Sequence, residues 1–165
     1  MSDPQQRHPD SPLSIAGQFL QEAPVNVIAM AHALGLSVDM NVDMGENVSG
    51  RILRGDLATA GFRIEVNRLH SNNRQRFTLA HEIAHYLLHR DQIGDGIEDT
   101  ALYRSNLSDQ TEIEANRMAA QILMPAPLVK NIYKAGMKWI AGLSGAFQVS
   151  EEAMRIRLKQ LGLAP

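Results

Sequence analysis

Cysteine is absent from the 165-residue chain. That excludes disulfide scaffolds, Cys-ligated zinc fingers, iron–sulfur clusters and thiol nucleophiles. Any metal site has to be built from His, Asp and Glu. Neither sign of charge is in excess: 16 Lys and Arg stand against 18 Asp and Glu, a net charge of −2. Such a balance argues against a protein whose whole surface grips nucleic acid. Long hydrophobic runs are missing too. The longest uncharged stretch, from Ala23 to Val38, contains Asn26, His32 and Ser37 and falls short of the ~20 apolar residues of a membrane span. The start, MSDPQQRHPDSP, is polar, and no apolar run follows it as a signal peptide requires. The expectation is a cytoplasmic protein with no membrane partner.

What remains is an ordinary globular composition, 44% hydrophobic and 21% charged, enough for one core. Residues 1–12 carry three prolines and no periodicity and read as a disordered tail. Residues 13–165 read as one domain. Two short helices are expected over 13–22 and 24–34, with Pro24 in a first turn and Gly35 as terminator. Three strands follow, at 37–40, 48–53 and 62–66. In the last, Phe62, Ile64 and Val66 alternate with Arg63 and Glu65, the pattern of a half-exposed strand. A long helix is expected from about Asn73 to Arg90, then an acidic, Gly-containing solvated loop over 91–100. A second helix, 109–124, ends at Pro125. Three short helices, near 126–135, 138–147 and 150–161, close the chain.

The chemistry lies in the long helix, at His81-Glu82-Ile83-Ala84-His85. Two histidines four residues apart lie one turn apart on one face, so both imidazoles can reach a single ion. Glu82 points about 100° away from His81, placed to reach a water at the ion without ligating it. That is the physical basis of the HExxH motif in metallopeptidases. In a chain with six histidines, chance produces the pattern roughly 0.01 times.

Catalytic zinc normally takes three protein ligands. His89 is eight residues from His81, and each four-residue step rises about 6 Å, so three successive turns cannot share one ion. His89 belongs beside the site or on the surface. Glu112 is the better third ligand. It shares a helix face with Ala115, Asn116, Ala119 and Leu123, whose small members allow close packing. Glu114 points with Arg117, Met118 and Gln121 toward the rim. Each Glu also fits a capping box, Asp109 with Glu112 and Thr111 with Glu114, so tying off a helix start stays open for both.

The run from Arg74 to His89, the run from Glu112 to Pro125, and the close Phe147-Gln148-Val149-Ser150-Glu151-Glu152-Ala153-Met154 resemble the ImmA/IrrE family of metallopeptidases in order and spacing. The resemblance covers residues 13–163; Met118 stands where an aromatic is common. It implies an α+β, zincin-like core: a small three-stranded sheet packed on the HExxH helix, with a helical C-terminal part. It also implies a zinc-dependent peptidase with one Zn2+ per chain, His81, His85 and Glu112 as ligands and Glu82 as base. The implied substrate is a helix-turn-helix repressor. Longer members carry a C-terminal sensor domain, which is not expected here.

A developing oxyanion needs a further donor, for which Tyr103, Arg104 and His70 are candidates. Asn116, one turn from Glu112, is placed to orient that carboxylate or simply to pack. Arg74 and Arg76 are expected in structural ion pairs. Two rivals stand beside the peptidase. One is a zinc module that only binds a repressor or toxin. The other is a DNA-binding protein using Lys130, Lys134, Lys138, Arg155, Arg157 and Lys159. Against the latter, Trp139, Leu143, Phe147, Met154 and Leu158 read as core.

Overall fold

A computed structural model describes residues 10–100 and 108–164. The chain opens with helices α1 (Pro12–Gly17) and α2 (Val27–Ala33). Strands β1 (Ser37–Val42), β2 (Val48–Arg54) and β3 (Phe62–Asn67) precede the long helix α3 (Asn72–His89). After a short turn comes β4 (Gly96–Thr100), then α4 (Asp109–Leu123), α5 (Ala126–Lys134), α6 (Ile140–Phe147) and α7 (Glu151–Gln160). The class is α+β, as expected.

The first two helices are shorter than their hydrophobic pattern. Beyond Gly17 the chain continues in i→i+3 turns through Leu20. Pro24 lies outside α2, which is capped by the Asn26 side chain accepting from Ala29 N. Gly35 does end α2, at φ +80°, where its N–H reaches His32 O and that of Leu36 reaches Ala31 O.

The sheet has four strands, in the order β1-β3-β2-β4. β1 runs parallel to β3, and β2 is antiparallel to both β3 and β4. β4 comes from the stretch read as a solvated loop. Its acids and glycines carry no local strand signal. What holds it is the far edge of β2, with Ile93 and Ile97 anchored in the core at 2% and 6% exposure. Glu65 also departs from its alternation. It is buried, covered by Arg51 at 2.6 Å and by Arg63, so ion pairing fills a position that burial alone would forbid to a carboxylate.

One face of the sheet receives α3. Leu79, Ala80 and Ile83 sit with Ile52, Ile64 and Val66 in one core, and each large aliphatic so buried contributes roughly 1.5–3 kcal/mol. The approach is close because position 50 is glycine. A Cβ there would stand 2.5 Å from Thr78 Cγ2 and 2.9 Å from Glu65 O. The Ser71 side chain caps the helix start. Among the described residues Arg74 and Arg76 do not form the expected ion pairs. Arg74 donates to Ser49 Oγ on β2, and Arg76 to Val25 O and Gln148 O, neutral acceptors that stitch a strand and two connecting segments to the helix. Asn73 adds a bond to Val149 O, tying the α6–α7 turn to the start of α3.

In the C-terminal part Leu143, Phe147, Met154 and Leu158 are core, but Trp139 is 60% exposed and precedes α6. The basic residues there do not make one patch: Arg157 is buried, Arg155 pairs with Glu151, and Lys138 sits over the Tyr133 ring. No helix among the described residues is long and apolar enough to cross a membrane.

Candidate metal centre

Two elements build the centre. α3 presents His81 and His85, and α4, held close by fully buried Ala115 and Ala119, presents Glu112. The two Nε2 atoms are 3.0 Å apart. Glu112 Oε2 lies 3.3 Å from His81 Nε2, and Oε1 lies 3.5 Å from His85 Nε2. All three side chains are buried, and among the described residues they are the one His/Cys/Asp/Glu group able to hold a metal.

The donor set fits a small divalent cation. Ligands about 2.0–2.1 Å from a tetrahedral ion lie about 3.3 Å from one another, which is the spacing here. The hydrogen bonds behind the rings point the same way. His81 Nδ1 donates to Asn116 Oδ1 at 2.9 Å. His89 Nε2 donates to Glu114 Oε2 at 2.9 Å, which leaves its Nδ1 to accept from His85 Nδ1 at 3.3 Å. These tautomers, assigned from the partners, leave both Nε2 atoms with lone pairs aimed at one point beside a carboxylate. A cation between them removes the mutual repulsion. Burial, the largest influence on His85, pushes its pKa below the usual imidazole value, while Glu112 pulls the other way. The neutral ring is the form that ligates.

Glu82 is fully buried one residue round the helix from His81 and is not one of the three converging groups. Neither capping reading holds. The cap of α4 is Ser108, whose Oγ accepts from Thr111 N. Glu114 receives His89 and Gln110 instead, and these two hydrogen bonds, that of His89 foremost, hold its carboxyl below the usual value.

Asn116 reaches the centre, but its hydrogen bond runs to His81, whereas the carboxylate it was expected to orient is Glu112. His70 stands before α3, nine residues of helix from His81, or about 14 Å along the axis. It is not among the converging ligand atoms. Tyr103 and Arg104 lie outside the described residues. The pairing of His89 with Glu114 was not read from the sequence. Its one signal was the four-residue step from His85 to His89 on the stripe that carries the motif.

A family model, Peptidase M78, described as the IrrE N-terminal-like domain, matches residues 43–159. No curated protein matches the chain.

Proposed function

Because the chain belongs to the Peptidase M78 (IrrE N-terminal-like) family, a metallopeptidase type of function follows, and we propose that it is a zinc-dependent endopeptidase acting in the cytoplasm on a helix-turn-helix repressor. The observation that supports this best is the buried convergence of His81 Nε2, His85 Nε2 and the Glu112 carboxylate, with Glu82 on the adjoining face.

His81, His85 and Glu112 would hold the ion. A divalent zinc there supplies Lewis acidity, polarising a peptide carbonyl and lowering the pKa of water. Asn116 orients His81, and His89, itself held by Glu114, orients His85, so the ligand atoms are set before the ion arrives. Glu82 accepts the proton of the attacking water at a carboxylate oxygen and returns it to the departing amine nitrogen. Its burial keeps competing solvent away and strengthens its electrostatic action.

The test is to mix the zinc-loaded protein with a helix-turn-helix repressor encoded beside its gene and to follow the intact mass of the repressor. Two fragments summing to the repressor plus one water are expected. A repressor that is bound but never cut, with zinc present, would favour a metal module that only binds.

A further inference from the structure

Two cavities meet on the outer side of α3. One, of about 360 Å³, lies between the start of α3 and the α6–α7 turn. The other, of about 330 Å³, lies between α4 and α7. Phe77 and Ala153 line both, so the two make one continuous groove. The groove borders the metal centre on the side of His81 away from its Nε2. Asn116 lines it and also holds His81, and the Phe77 ring lies 6.3 Å from that of His81.

The floor is apolar: Phe77, Ile113, Ala120, Met124, Ala153 and Ile156. Ile113 and Ile156 are 46% and 51% exposed, large apolar side chains left facing water. The charged lining has a single sign, Arg74, Arg117 and Arg157, with no Asp or Glu. Arg157 is the informative one. It is only 8% exposed, and it donates to two neutral oxygens, Met124 O at 3.0 Å and Gln160 Oε1 at 3.4 Å. Among the described residues Arg157 makes no ion pair, whereas Arg117 lies near enough to Glu114 to help lower that carboxyl. A guanidinium buried without a counter-charge is costly and gains from an anion delivered into the groove.

We propose that this groove is a substrate-docking site beside the metal centre, and that it takes a substrate segment in which an apolar side chain neighbours an acidic one. The inference rests on the peptidase reading above. The apolar side chain seats on Phe77 and Ile156. The carboxylate is received by Arg157, with Arg117 at the rim. A nucleic acid fits less well. Arg157 is recessed in an apolar floor where a peptide side chain enters, whereas a phosphate backbone is met by exposed cations.

The experiment reads binding alone. Immobilised Glu82→Gln protein is offered a library of short, C-terminally amidated peptides, and those retained are identified by mass. Peptides with Asp or Glu beside Leu, Ile, Met or Phe should be retained about tenfold over their Asn and Gln counterparts, the worth of one charge-assisted contact. Arg117→Glu should shift the preference toward Lys, and Ile156→Asp should abolish retention. Both side chains are exposed, so the fold should survive; Arg157→Gln, checked by circular dichroism, should lose the acid preference. An acid preference that is missing, or unchanged in Arg117→Glu and Ile156→Asp, overturns the proposal. So does retention only of peptides with a free C-terminal carboxylate. So does a random DNA duplex that binds more tightly than any peptide and is released by salt. If selection holds but wild-type protein cleaves nothing, the groove stands and the peptidase reading fails.

Discussion

Glu82 and Glu112 are both buried carboxylates, yet they carry different tasks, and the difference is measurable. Glu82→Gln keeps the volume and leaves all three converging groups in place. Metal content and melting temperature should match wild type, while cleavage falls by about 10²–10⁴-fold, the size of a general-base contribution. A Glu82→Gln protein that cleaves like wild type would show that Glu82 is not the base. Glu112→Gln removes the one anion of the donor set, so zinc affinity, titrated against a chromophoric chelator, should fall strongly. Glu114→Gln should be almost harmless, because its amide oxygen still accepts from His89. Glu114→Leu removes that acceptor, frees the His89 tautomer and should weaken zinc about 10–100-fold, as losses behind a ligand do. Equal affinity in Glu112→Gln and Glu114→Gln would displace Glu112 as third ligand.

The pairing of elements that matters most is the seat of α3 on β2. It sets how deep His81 and His85 sit, and it depends on Gly50. Gly50→Ala puts a methyl 2.5 Å from Thr78 Cγ2, and overpacking of that kind costs about 1–3 kcal/mol. Denaturant unfolding should show a lower midpoint at unchanged slope. Adding Thr78→Ser removes the offending methyl and should restore part of the loss, the remainder being the contact with Glu65 O. An unchanged midpoint in Gly50→Ala would mean that the helix does not sit so close to the strand. The C-terminal helices act at the same scale. Through Asn73 and Arg76 they hold the α6–α7 turn on α3, and so they form the far wall of the groove.

Across the whole molecule, α3 and α4 meet face to face, and the metal centre spans their junction. Binding to the native state alone is a source of stability: at a thousandfold excess over the dissociation constant it amounts to about 4 kcal/mol. In a domain of this size that corresponds to roughly 10 °C of melting temperature. Removing metal with a chelator should lower the melting temperature by about that much, and stoichiometric zinc should restore it. His85→Ala should melt like the chelated protein and ignore added zinc. Identical melting with and without metal would count against a centre coupling the two helices.

Much of this was written in local spacing. The four-residue step of His81 and His85, the small face of Ala115 and Ala119, and the alternation of Phe62, Ile64 and Val66 are short-range patterns that any helix or strand must express. They sufficed for the α+β class, the first three strands in chain order and the grouping of His81, His85 and Glu112. Tertiary structure decided whatever depends on partners distant in the chain. β4 exists because β2 had an edge to share, and Glu65 is buried because Arg51 and Arg63 fold over it. Asn116 serves His81 because α4 crosses α3 at one height and not another. His89 meets Glu114 for the same reason. A side chain's direction follows from its own helix, but what it touches is set by how two helices cross, and no spacing within either one contains that angle.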